Sequence, residues 1–83
     1  MSDVRILDVT EYPDRSNPSI VVPMVMVTFT APDGRVKTSR LTKDRASREG
    51  IEARVREDAL ASWRLPPPVN VRWADHLLAP AGR

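Results

Sequence analysis

Cysteine is absent from this chain. Its absence excludes disulfides, thiolate zinc centres and cysteine nucleophiles together. Histidine occurs once, at His76, and glycine three times, at Gly34, Gly50 and Gly82. A single histidine among scattered carboxylates gives no metal-ligand spacing, so no metal or other cofactor is expected. Glycines this far apart build no loop that cradles a phosphate. Aromatic side chains are equally few: Tyr12, Phe29, Trp63 and Trp73. No apolar run approaches the ~20 residues that cross a bilayer, so no membrane partner is expected. Asp3, Arg5 and Asp8 break up the apolar residues near the N-terminus, which argues against a secretory signal and for a cytoplasmic protein.

What is present is an ordinary globular composition in a short chain. The 83 residues are 41% hydrophobic and 29% charged, which fits one small folded domain over 1–83. Basic residues exceed acidic ones by only two, and Lys37 and Lys43 are the only lysines. A balance this even does not make a nucleic-acid binder without a local patch. With no disulfide or metal to staple it, a domain of this size depends on close packing or on self-association.

"VRILDVTEY" reads as a first strand with apolar residues on both parities: Val4 and Ile6 on one, Leu7 and Val9 on the other. "PDRSNPS" carries the chemistry of a loop. "SIVVPMVMVTFT" then gives a long strand over roughly 20–30. Pro23 within it cannot donate to a ladder, so it marks an edge, a bulge or a late start of regular pairing. "APDGR" is a turn: Pro32 fixes φ, Asp33 suits the next position and Gly34 takes the left-handed conformation. "RVKTSRL" returns as the partner strand. Ser47 suits a helix N-cap, and Ile51, Val55, Ala59 and Trp63 recur every four residues behind it. The helix must end before the prolines at 66–68, which predicts a span of about 47–64. Residues 65–83 are a Pro-rich turn, a short fourth-strand pattern at 69–73 and a C-terminal tail. The expected fold is α+β, in the order β-β-β-α with that short fourth strand, and with the helix on one sheet face.

A strand covered on one face alternates apolar with polar, because successive side chains point to opposite faces. The second strand does not alternate. If Val21, Val25, Val27 and Phe29 meet the helix, then Val22, Met24 and Met26 face away from it. Grouped with them by parity are Val4 and Ile6, and the five residues form the expected interaction surface. Three covers are open: the C-terminal segment with Val69, Val71, Trp73, Leu77 and Leu78, a second copy of the chain, or another protein. Contiguous exposed apolar patches mark interaction sites, although methionine is also an ordinary core filler.

A second cluster is basic: Arg35, Lys37, Arg40, Lys43, Arg45 and Arg48, opposed inside that window by Asp44 alone. Its stretch "DGRVKTSRLTKDRA" resembles the arm-site-binding domains of phage-type tyrosine integrases. The resemblance implies a three-stranded sheet, backed by a helix, that enters a nucleic-acid groove. The chain departs from it in the apolar second parity of its central strand. A solvated hairpin edge, charged against edge-to-edge pairing, explains the same residues.

No catalytic constellation emerges. His76 stands beside Asp75 with no nucleophile motif near it. Glu57 and Asp58 are adjacent, so they diverge around a helix rather than form an acid–base pair. The expected function is a non-enzymatic interaction or assembly module, with nucleic-acid binding through the 35–48 surface as the alternative.

Overall fold

The turn at 31–35 sets the register of the sheet. The Gly34 N–H donates to the Ala31 carbonyl at 2.9 Å, and the Ala31 N–H donates to the Arg35 carbonyl at 2.8 Å. Asp33 Oδ1 accepts the Arg35 N–H at 3.0 Å, and Gly34 takes φ +87°. The structure, a computed structural model, describes residues 2–78. Its elements are β1 (Ser2–Asn17), β2 (Ile20–Thr30), β3 (Val36–Thr42), a 3-10 turn (Lys43–Arg45), α1 (Arg48–Ala59), β4 (Val69–Trp73) and α2 (Asp75–Leu78). The four strands form one mixed sheet in the order β3-β2-β1-β4, with α1 packed on one face, an α+β domain.

β1 explains why both its parities are partly apolar. Ile6 pairs with Phe29, Asp8 with Thr28 and Val9 with Val27, so Leu7 is the extra residue of a bulge. The bulge switches parity. Val4 and Ile6 before it, and Val9 after it, therefore lie on one face with Val25, Val27 and Phe29. Val4, Ile6, Val27, Phe29 and Val55 are fully buried there, with Val25, Ile51 and Ala59 nearly so. Grouping Val4 and Ile6 with Met24 and Met26 therefore does not hold. The two pairs are on opposite faces, because before the bulge even residues of β1 share a face with odd residues of β2.

β1 and β2 run further than the loop chemistry of "PDRSNPS" implies. They stay paired to Asn17 and Ile20, leaving Pro18 and Ser19 as the turn. Within that stretch Asp14 Oδ1 accepts the Ser16 N–H at 3.0 Å and Asn17 Oδ1 accepts the Ser19 N–H at 2.9 Å. These local side-chain bonds accompany a second register shift between Asp14 and Asn17 instead of ending the strand. β3 reaches only to Thr42, opposite Met24, and β4 pairs only with residues 2–6 of β1. Residues 13–22 thus project as a two-stranded arm. Pro23 lies just past the reach of β3, opposite Pro13, where the missing N–H groups break no pairing with β3.

α1 starts as the sequence implies, with Ser47 Oγ accepting the Gly50 N–H at 3.1 Å. It ends at Ala59, five residues short of the expected Arg64. Residues 61–64 are exposed, so no burial supports a further turn. Trp63 accordingly leaves the core stripe and is 41% exposed. The indole that packs against the core is Trp73 of β4, whose N–H donates to Glu52 Oε2 at 2.6 Å. At the opposite sheet edge, buried Ser39 of β3 donates its hydroxyl to Asp58 at 2.5 Å. The helix is therefore tied to both edge strands.

Candidate interaction surface

Through Leu77 the C-terminal segment does not cover the second face. β4 extends the sheet, parallel to β1, and its Val69, Val71 and Trp73 pack with Leu77 of α2 against the core on the helix side. Residues 79–83 lie outside the described residues. Among the described residues, α1, β4 and α2 lie in the sheet plane or on the helix face, and none of them covers the opposite face.

That face is ordered in rows by cross-strand pairing. One row is Thr42–Met24–Tyr12, from β3 through β2 to β1. The next rows are Arg40–Met26–Thr10 and Thr38–Thr28–Asp8, followed by Val36–Thr30–Arg5 with Arg72 of β4 at its end. Beyond Met24, Val22 pairs with Asp14. Tyr12, Val22, Met24 and Met26 are half-buried and contiguous, and Ile20 further along the arm is 55% exposed. Val22, Met24 and Met26 are thus where the sequence put them, away from the helix. Tyr12 was missed. Its signal was available: counting back from a two-residue turn at Pro18 and Ser19 brings it near Met24.

Charge on the open face is balanced. Among the described residues, Arg5, Arg40 and Arg72 share this face with Asp8 and Asp14 of these rows and with Asp3, which pairs with Asn70 beyond the last of them. Arg72 and Asp3 pair at 3.0 Å. Thr10 Oγ1 donates to Asp8 Oδ2 at 3.1 Å, which draws the Asp8 carboxylate toward the Met26 row. The bond from the Ser16 N–H, reinforced by the Ser16 hydroxyl and by the nearby Arg40 charge, holds the Asp14 carboxyl below its ordinary range. The signs are not evenly spread. The acidic groups are all on β1, which also carries Arg5, and β3 carries Arg40.

The basic cluster of the sequence is dispersed by the fold. Arg35 sits in the turn, 3.8 Å from Asp33, and half-buried Lys37 is on the helix side of β3, opposite Phe29. Arg40 is on the open face. Lys43 pairs with Glu11 at 2.8 Å. Arg48 pairs with Glu52 at 3.6 Å and lies 5.2 Å from the centroid of Trp73, toward the far edge strand. Arg40 and Arg45 alone of the six share a hollow, at the β3 edge, which Arg54 also lines.

Among the described residues no group of three or more histidine, cysteine, aspartate or glutamate side chains could hold a metal ion. Ser39 is the only buried polar side chain among the described residues, and its hydroxyl is committed to Asp58. His76 is exposed on α2. No helix among the described residues is long and apolar enough to cross a membrane.

The architecture is a small α+β domain with one finished face and one open face. No protein-family model matches the chain, and no curated protein or solved structure matches it.

Proposed function

We propose that this chain is a small non-enzymatic interaction module that docks other protein through its open sheet face. One observation carries the reading: α1, β4 and α2 all finish the helix face, and Tyr12, Val22, Met24 and Met26 are left contiguous on the other. Contiguous apolar surface rimmed by polar groups is the signature of a protein contact. The threonines around the methionines, with three charges of each sign, supply such a rim. Their zero balance suits a protein surface better than a polyanion, which calls for a cationic field.

Nucleic acid is the second reading, and the hollow at the β3 edge favours it, because Arg40, Arg45 and Arg54 converge there. Arg54 is already paired with Asp58 at 3.1 Å, which leaves two cations for phosphate contacts.

Position-specific photocrosslinking in cells that express the chain separates the readings. A photoreactive residue replacing Thr28, on the open face, should yield a protein adduct, and one replacing Arg56, on the exposed side of α1, should not. Adducts from the helix side alone, or none from either position, would overturn the docking reading. An adduct from Thr28 that nuclease digests would establish the nucleic-acid reading in its place.

A further inference from the structure

Resting on that docking reading, we infer that the partner is a second copy of this chain. The two open faces pack about a two-fold axis that runs along β2. Each Arg40 then meets the Thr10–Asp8 site of the other copy.

The distribution of charge selects this arrangement. Two identical sheets stacked face to face have two simple closed arrangements, related by a two-fold axis either along the strands or across them. An axis across the strands keeps each strand over its own copy. Arg40 of β3 would then lie over β3, whose other open-face residues Val36, Thr38 and Thr42 offer it no carboxylate, while Asp8, Asp14 and Arg5 of β1 would lie over β1. That arrangement leaves Arg40 without an opposite charge. An axis along β2 preserves the rows and exchanges the sides, so β3 of one copy lies over β1 of the other. Arg40 shares its row with Met26 and Thr10. It therefore arrives over Thr10 of the second copy, one row from Asp8, or roughly 7 Å along the strand. The Thr10 hydroxyl already draws the Asp8 carboxylate toward that row. An arginine side chain spans the remainder.

The same axis brings Met24 and Met26 onto their own equivalents. Methionine fits a self-contact of this kind, because its unbranched thioether chain repacks against an identical neighbour without a fixed shape. Two sheets packed in this way lie about 10 Å apart and cross at roughly 30°, with a helix on each outer side. The two-fold also doubles each charge contact, so one substitution alters two places.

Light scattering coupled to gel filtration tests the pairing on the full chain. Wild type should elute at a two-chain mass. Arg40→Asp alone and Asp8→Arg alone should each elute at a one-chain mass, with circular dichroism spectra unchanged. Mixing the two single variants should restore the two-chain mass, since each then supplies the charge that the other lacks. The double variant Arg40→Asp/Asp8→Arg should restore it on its own. Single variants that stay dimeric, or single variants that dissociate and recover in neither the mixture nor the double variant, overturn the arrangement. A wild type that is monomeric at every concentration overturns the second copy as partner. In that case a Thr28 adduct of a different protein would leave the docking reading standing.

Discussion

Gly50 illustrates how one atom can reverse an intrinsic preference. It lies in the first turn of α1, where alanine is ordinarily favoured over glycine by about 1 kcal/mol. Here a Cβ would overlap the carbonyl oxygen of Arg45, a backbone atom that cannot rotate away. Gly50→Ala should therefore lower stability, by about 1–3 kcal/mol as in other overpacked sites. Urea unfolding reads this directly, and a more stable variant would mean the 3-10 turn gives way. Gly34 is constrained for a different reason. A Cβ there would meet nothing within 4 Å, but φ is +87°. Gly34→Val should cost about 1 kcal/mol or more, because a β-branched residue resists positive φ. Gly34→Asn should recover most of that loss, since asparagine tolerates that region. Two exposed carboxyls add a pH signature. Asp14 is lowered chiefly by the Ser16 N–H bond and Asp44 chiefly by the Thr42 hydroxyl. A depressed carboxyl stabilises the fold above its unfolded pKa, and that share disappears as pH falls through the folded value. Asp14→Asn should accordingly remove that share at neutral pH and flatten the dependence of stability on pH below about pH 4.

At the scale of elements, the fold depends on how α1 is fastened. Its apolar stripe is short, with Ile51, Val55 and Ala59 as the buried residues. Two hydrogen bonds to carboxylates supplement it, Trp73 to Glu52 at one sheet edge and Ser39 to Asp58 at the other. Hydrogen bonds to charged partners are worth about 1.5–3 kcal/mol, more than neutral ones. Trp73→Phe keeps a ring beneath Arg48 and removes only the N–H. It should destabilise the domain by about 1–2 kcal/mol in chemical denaturation. A double-mutant cycle with Glu52→Gln should show most of that as coupling, and additive losses would mean that the indole acts by packing alone. β4 is the second fastening. It adds Val69, Val71 and Trp73 to the core, and α2 adds Leu77. A chain truncated after Pro68 should lose cooperative unfolding, because the core side of β1 is then bare along one edge.

At the scale of the molecule, the sheet has two faces with different tolerances. Val27 is fully buried under α1, and Met26, its neighbour in β2, is half-buried on the open side. Val27→Asp should unfold the chain, since a carboxylate in the core costs several kcal/mol. Met26→Asp should leave the melting temperature of dilute protein within a few degrees, as surface substitutions do, while removing the two-chain species at high concentration. Equal intolerance of both substitutions in dilute protein would mean that the open face is closed within one chain. The comparison belongs in dilute solution, because a partner that binds only the folded state raises apparent stability by mass action.

The features legible in the sequence were the local ones. The turn around Gly34, the Ser47 cap and the two-sided apolar character of β2 each follow from a few neighbouring residues, since turn conformation, capping and side-chain alternation are short-range properties. The α+β class, and the position of Val22, Met24 and Met26 away from the helix, followed from these. The bulge at Leu7 was not legible. Its place is fixed by which residues of β2 oppose β1, and it alone moved Val4 and Ile6 from the expected surface into the core. The side on which β4 and α2 settle was equally closed to local reading. Val69, Val71 and Trp73 would suit either face, and pairing with residues 2–6 of β1 decided it. The basic cluster separated for the same reason: residues adjacent in the chain were sent to a turn, two sheet faces and a helix. Asp8 and Thr10 joined the candidate surface only through the register of β1 on β2. Local chemistry chose the elements, and long-range pairing chose which face each residue would occupy.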